Sequence, residues 1–343
     1  MVALREAVAS NQRIAATFPK GLVAVFVGGT SGVGEYTVKA FAKYTSNSRA
    51  YIIGRSKPSA TRIVAECRAL GPSNSFEFIQ ADISLLKTVD DVCRQIRAKE
   101  TAINILFQTQ GSMAFHAVTP EGLSLAAALG IHSRTRFLLN LLPLLQRATA
   151  LKRVVCVMAA TCEGPIDLDN LGGVGFSLFR RRDQLAAVQT LLLEKVQETV
   201  AGAAPVGFVH DVPGVVQSGI TRDAEGVGMK VLIGVTSLLG PLIRTPIDEC
   251  AEMHLFYATS ARFASYAGGV ASDGVALQNG LGTARGSIGK TGSGVYTINT
   301  KGEPSPPRVE EVLAGHRNDG TATKLWDIVM AESKKITGSE WLA

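Results

Sequence analysis

The stretch Val23-Ala-Val-Phe-Val-Gly-Gly-Thr-Ser-Gly-Val-Gly34 constrains the chain more than any other. Val23 to Val27 is a short apolar, β-branched run and reads as a buried strand. It breaks into Gly28, Gly32 and Gly34, spaced Gly-x-x-x-Gly-x-Gly, with Thr30, Ser31 and Val33 between them. Val33, Thr37, Ala40, Phe41 and Tyr44 then recur at helical spacing. Strand, glycine turn and helix together place a pyrophosphate at a helix N-terminus. There the backbone can approach the phosphates and the helix dipole favours their charge.

Further along, strand and helix patterns alternate. Ala50–Arg55, Ser75–Gln80, Ile103–Thr109, Lys152–Met158 and Val206–Val212 read as strands. Ser59–Leu70, Leu86–Ala98, Leu123–Leu145 (ending near Pro143) and Asp183–Thr199 read as helices. This alternation predicts an α/β fold, a Rossmann-type doubly wound parallel sheet of about seven strands. The last third changes character. Helices are expected across Gln217–Tyr257 around the apolar run Val231–Ile243, and a glycine-rich loop over Gly268–Gly294. A final strand near Gly294–Asn299 and a closing helix over Thr323–Ile336 follow. No repeat or clean linker divides the chain. The expectation is one unit over 1–343, with a helical lead at 1–20, a dinucleotide-binding core at 21–215, and a helical, glycine-rich C-terminal extension at 216–343.

The chain of 343 residues carries 35 Lys+Arg against 29 Asp+Glu, a net charge of +6. The basic residues are scattered apart from Arg180-Arg181-Arg182, which no aromatic interleaving accompanies in the sequence. No nucleic-acid partner is expected. The five cysteines, 67, 93, 156, 162 and 250, fit neither a disulfide framework nor a zinc site. Met1–Lys20 lacks a signal-peptide core, and Val231–Ile243 is too short to span a membrane. These points predict a cytoplasmic location.

The end of the second strand selects the dinucleotide, because an acid there binds ribose hydroxyls whereas a base accepts a 2′-phosphate. Arg55, Ser56 and Lys57 stand there with no adjacent acid, so the expected cofactor is NADP(H); the alternative is a surface arginine in a loop. Asp82, after the third strand, falls where a side chain meets an adenine amino group.

These features resemble the short-chain dehydrogenase/reductase superfamily. The matches are Gly28-x-x-x-Gly32-x-Gly34, Asp82, Gly111 closing the fourth strand, and Pro213-Gly214-Val-Val-Gln-Ser218. The opening Leu22–Gly34 run, Ser133-Arg134-x-Arg136-Phe137 and Gly294-Val-Tyr296 are further similar to a fungal branch associated with secondary-metabolite biosynthesis. The resemblance implies cofactor contacts from Gln110, Gly111, Pro213, Gly214, Val216 and Ser218. It also implies a homodimer through the long helices, although Arg180–Arg182 alters one of those helix starts.

The departures fall on the catalytic half. The family's Asn-Asn-Ala-Gly is Gln108-Thr109-Gln110-Gly111, and its catalytic Ser aligns with Ala159. Its Tyr-x-x-x-Lys aligns with Arg180 and Gln184, and no Tyr-x-x-x-Lys occurs anywhere in the chain. In the family the Tyr protonates a carbonyl oxygen, general acid catalysis that supplies typically ~10²–10⁴-fold. An ordinary ketoreductase is therefore disfavoured unless another acid has moved in.

Four residues are candidates for that work: His132, whose imidazole titrates near neutrality; Thr161, the hydroxyl nearest Ala159; Glu163; and Arg180, able to face an anionic enolate. For His132 the competing reading is a hydrogen-bonded helix histidine, for Glu163 a solvated loop carboxylate, and for Arg180 a solvated face. Ser112, Met113, Cys162, Phe176 and Phe179 are the expected pocket residues. Val215–Ile243 is apolar, which implies either an apolar substrate or core. Three functions stay open. One is an NADP(H)-dependent oxidoreductase acting on an apolar intermediate, on an activated C=C or C=N in preference to a simple ketone. The second is a non-redox cyclase, isomerase, dehydratase or pericyclase on the same scaffold. The third is a non-catalytic NADP-binding regulator.

Overall fold

The computed structural model describes residues 1–203, 205–222, 244–266 and 274–342. Its centre is a seven-stranded sheet in the order β3-β2-β1-β4-β5-β6-β7, with every pairing parallel. The strands are β1 (Val23–Val27), β2 (Arg49–Gly54), β3 (Ser75–Gln80), β4 (Ile105–Gln108), β5 (Arg153–Val157), β6 (Gly207–Asp211) and β7 (Val295–Ile298). The order reverses direction between β1 and β4. Such a switch opens a crevice at the carboxyl ends of the strands, where doubly wound sheets take ligands.

Helices cover both faces, and the two-residue period of β1 shows why. Ala24 and Phe26 point to one side, Val25 and Val27 to the other, and all four are buried. The first side is closed by α1 (Leu4–Asn11), α2 (Gly32–Tyr44), α3 (Lys57–Leu70) and a helix over Ile247–Thr259. Phe26 meets the rings of Phe41 and Phe107 at 5.6 Å, contacts worth about 0.5–1.5 kcal/mol each beyond burial. The second side is closed by α4 (Leu86–Lys99), α5 (Ser133–Arg147) and α6 (Leu178–Thr199). The Ile247–Thr259 helix is α7; α8 (Pro307–Asn318) and α9 (Thr321–Thr337) finish the chain, with α9 lying on α6 and α4.

Three boundaries differ from the sequence reading. The expected helix from Leu123 breaks into a turn at Leu125–Ala127, a π-helical turn at Ala128–His132 and then α5, which runs through Pro143 to Arg147. The π turn lengthens the hydrogen-bond step just before the long helix, a feature frequent at functional sites. Helix α6 starts at Leu178, not Asp183, because Ser177 accepts from the Arg180 N–H and caps it. The arginine triplet therefore lies on the helix. Helix α8 falls in a polar stretch where no helix was expected. Val231–Ile243 and the opening of the glycine-rich segment lie outside the described residues; Ser287–Gly294 carries turns leading into β7.

Helix α5 is buried around nearly its whole circumference. Arg136 donates to both carboxylate oxygens of Asp90, at 2.6 and 2.8 Å, and to the backbone carbonyls of Ser339 and Glu340. Asn140 donates to Asp90 and accepts from the Leu342 N–H.

Candidate active site

The first half of the site is the turn after β1. Gly28 and Gly29 both donate to the Ile53 carbonyl, pinning the turn to β2. Gly28 has φ +83°, and a Cβ there would lie 2.5 Å from the Thr109 hydroxyl. Thr109 donates its backbone N–H to Val27, and its hydroxyl lies within hydrogen-bond reach of the Val27 and Gly28 carbonyls. It ties β4 to the turn where the family pattern has asparagine. A Cβ on Gly34 would strike the Gly28 carbonyl at 2.6 Å, so the helix start packs directly on backbone. Ser31 caps α2 without a side-chain bond. The first-turn N–H groups of Gly32, Val33 and Gly34 thus form an anion cradle of the kind that holds a pyrophosphate.

The segment after β6 closes over this cradle. A Cβ on Gly32 would lie 2.5 Å from the Ser218 Cβ, and Tyr36 donates to the Gln217 carbonyl at 2.7 Å. Pro213, Gly214 and Val216 lead into it, held by Thr245, whose N–H donates to the Val215 carbonyl. Thr30 packs beside Gly54 at the end of β2. Arg55 is exposed there, and Ser56 caps α3 by accepting from the Ser59 N–H, with Lys57 the first helical residue. Asp82 accepts from the N–H and hydroxyl of Ser84. Gln110 donates to the Gln108 side chain at 3.1 Å, and Gly111 is exposed on the floor. The Met113 N–H donates to the Ile220 carbonyl, joining the loops after β4 and β6, while Ser112 accepts from the Ala114 N–H.

The second half lies after β5, around Ala159, Arg180 and Gln184. Ala159 has no hydroxyl. The Gln184 amide is fully buried, donating to the carbonyls of Asn170 and Leu171 and accepting from the Asp167 N–H. Arg180 is exposed, its guanidinium 3.6 Å from the centre of the Phe176 ring. No tyrosine replaces the missing one. Tyr44, Tyr51, Tyr257 and Tyr296 donate to Glu252, Glu100, Thr300 and Ala264 respectively, Tyr36 holds Gln217, and Tyr266 is exposed beside Gly294 at the amino end of β7.

The structure instead assembles a buried polar cluster. Thr161 takes φ +68° and donates its N–H to Thr297 on β7. Glu163 is completely buried and accepts from the Thr297 hydroxyl at 2.5 Å and the Thr190 hydroxyl at 2.9 Å. Thr190 lies 2.8 Å from Nδ1 of His210, whose Nε2 faces the Ala159 N–H at 3.4 Å. That N–H makes Nε2 the acceptor, so the proton of the neutral ring sits on Nδ1 and points at Thr190. Burial pushes the Glu163 carboxyl up, against its hydroxyl donors, and holds the His210 imidazole down to about 3. Oε2 of Glu163 is buried with no partner among the described residues. Cys162 is half-buried next to it, its thiol pushed up by burial.

The remaining candidates stand apart. His132 lies in the π turn, and burial lowers its imidazole to about 4; the carboxylate whose field reaches it is Glu332 on α9. Phe176 and Phe179 flank the start of α6, Phe179 exposed. The structure thus brings Thr161 and Glu163 together and leaves His132 and Arg180 outside their network.

Other groups here went unread in the sequence. Thr190, Thr297 and His210 are ordinary strand and helix residues until three elements converge. Arg134 is buried and donates to the carbonyls of Gln108, Gln110 and Val157, cross-linking the ends of β4 and β5. On the sequence alone Arg134 is expected to make a structural ion pair on the long helix; among the described residues its partners are backbone carbonyls instead. Asp211 pairs with His254 on α7 at 2.8 Å. The Asp211 and Cys250 neighbours raise the imidazole well above its usual range despite burial.

Residues 22–128 match the family model described as short chain dehydrogenase. Oxidoreductase AN1596 of Emericella nidulans is 33% identical, over 95% of this chain and 96% of that protein. Short-chain dehydrogenase/reductase SAT2 of Stachybotrys chartarum is 28% identical, over 91% of this chain and 92% of its own. Among solved structures, the Pseudomonas aeruginosa RhlG/NADP active-site complex superposes with a TM-score of 0.50 at 17% identity, covering 76% of this chain and 96% of that one. The NADH-dependent reductase A1-R′ complexed with NAD superposes with a TM-score of 0.51 at 16% identity, covering 78% and 97%. These two carry the fold alone. Among the described residues no helix is long and apolar enough to cross a membrane.

Proposed function

This chain belongs to the short-chain dehydrogenase/reductase family, and from that premise we propose that it is an NADP(H)-dependent oxidoreductase of fungal secondary-metabolite biosynthesis acting on an apolar intermediate at an activated C=C or C=N. One observation carries the reading: the glycine cradle is complete, while the positions of the family's Ser, Tyr and Lys are Ala159, Arg180 and Gln184. Gly28, Gly32, Gly34 and Ser218 would hold the pyrophosphate, and Arg55 with Lys57 the 2′-phosphate. Bound NADPH supplies a hydride. A conjugated alkene or iminium accepts hydride at carbon without an acid held on a carbonyl oxygen, which suits a site stripped of its phenol.

Hydride addition completes the reduction of an iminium, whereas a conjugated alkene is left as an enolate that must still take a proton, and Glu163 is the group we assign to that proton. Burial raises its carboxyl, Thr190 and Thr297 hold Oε1, and Oε2 has no partner among the described residues. His210 fixes the Thr190 hydroxyl. We further take the sheet and closing helices to act as one unit.

Incubation of the purified protein with conjugated enones, iminium ions and saturated ketones, with and without NADPH, tests this. Stoichiometric NADPH oxidation is expected on the enones and iminium ions, with a product two hydrogens heavier from the enones and the neutral amine, one hydrogen heavier, from the iminium ions. An isomeric product formed by cofactor-stripped protein overturns it and favours the second reading, a cyclase or isomerase, which the same stripped tetrad supports.

A further inference from the structure

Three consecutive arginines open α6, and each lies on a phenyl ring: Arg180 on Phe176 at 3.6 Å, Arg181 on Phe115 at 3.9 Å and Arg182 on Phe179 at 5.2 Å. The aromatic interleaving absent from the linear sequence is supplied in space. The three guanidiniums are not equivalent. Arg181 is buried and spends Nε and one terminal nitrogen on the Gly173 carbonyl. Arg182 spends the same donors on Asp183. The Arg180 guanidinium donates to nothing among the described residues and has no acidic partner within ion-pair distance there, so the ring contact occupies its face and leaves its N–H edge unspent.

The first turns of α6, which carry this cation, adjoin the loop after β5. The Gly164 N–H donates to the Asp183 carbonyl at 3.0 Å, binding the first turns of α6 to the loop that carries Thr161 and Glu163. Phe179, its neighbour in sequence, is 67% exposed, and Val174 in the segment before α6 is exposed as well. A guanidinium is charged at every physiological pH and cannot act as the family's acid. Its stacked, uncompensated edge over an apolar ledge has the chemistry of a receptor for an amphiphile.

We propose that the substrate is an apolar molecule carrying an anionic group, a carboxylate or comparable oxyanion, and that Arg180 binds this group while Phe176 and Phe179 take the adjoining apolar part. This deepens the function proposed above and rests on it for the position of the reacting carbon. Arg180 is then a specificity-determining residue, selecting acids over neutral analogues of the same skeleton.

Two fluorescent probes of one shape test it on the full chain: 1-anilinonaphthalene-8-sulfonate, which is anionic, and N-phenyl-1-naphthylamine, which is neutral. The sulfonate is expected to bind roughly fivefold more tightly, the ratio for an ion pair of about 1 kcal/mol at a solvent-facing site. Arg180→Met should bring the ratio near unity and leave the neutral probe's affinity unchanged; Arg182→Met, whose donors are already spent, should leave the ratio nearly intact. Added sodium chloride should narrow the gap in the parent protein. Equal affinities in the parent protein, or a preference that survives Arg180→Met, overturn the proposal. NADPH titrated into the same samples separates the two readings. Loss of NADPH binding with anion preference retained defeats the cofactor assignment only, and the converse defeats this one only.

Discussion

Replacing Glu163 with glutamine tests the cluster after β5 through its proton. Glu163 is fully buried and its carboxyl is raised mainly by desolvation, so the folded protein holds a proton there that the unfolded chain releases near pH ~4.3. A raised carboxyl contributes stability that is present in full below the unfolded value. That contribution is lost as pH rises toward the folded one. Each unit by which the folded value exceeds the unfolded one costs about 1.4 kcal/mol of stability at a pH above both. Glutamine keeps the Oε1 acceptor for Thr190 and Thr297 and is neutral at every pH. Urea denaturation at several pH values is therefore expected to show Glu163→Gln close to the parent in stability near pH ~4 and the more stable of the two near pH ~8, the gap widening by up to about 1.4 kcal/mol per pH unit between the unfolded and folded values. His210 works in the opposite sense: its imidazole, held down to about 3, gives stability that is present above the free-histidine range and lost in acid. Both proteins carry it, so it cancels in the difference. A difference between the two proteins that does not change with pH would refute the assignment of a buried, protonated carboxyl. Loss of turnover in the same variant, at unchanged NADPH affinity, is what the proton-donor role requires.

Two further outcomes follow from named contacts. Arg55→Ala should weaken NADPH binding about tenfold by removing a charge-assisted contact and leave NADH binding unchanged, as measured by nucleotide fluorescence. Arg136→Met strands the buried Asp90 carboxylate and should destabilise the protein by about 3–5 kcal/mol, with Asp90→Leu/Arg136→Met recovering most of that loss in the same denaturation assay.

The part of the fold fixed by local periodicity was legible in the sequence. Val23–Val27 with its glycine turn appears as read, and Ser75–Gln80 matches to the residue, because a buried strand between glycine or polar breaks leaves a short-range signature. Where the deciding contact is long-range, the reading fell short. Arg180–Arg182 looked like a solvated turn because the rings beneath them include Phe115, distant in sequence, and because the Ser177 cap was overlooked. Of the Glu163 cluster the sequence marks only the loop residues Thr161 and Glu163. Its partners Thr190, Thr297 and His210 reach it across 27 to 134 residues of chain through strand order, which periodicity does not encode. Pro143 was read as a stop, yet α5 continues past it, held by burial on every side.

The tie at the end of α5 also bears on how the molecule is made. Asp90 and Arg136 leave the ribosome early and can pair at once, but the carbonyls of Ser339 and Glu340 that complete the guanidinium's donors are synthesised some two hundred residues later. Until they emerge, Arg136 sits in a nascent helix with N–H groups it can satisfy only with water. The dehydrated state of that helix pair therefore needs residues 339 and 340 in place, and a chain without them keeps a wet seam between α4 and α5.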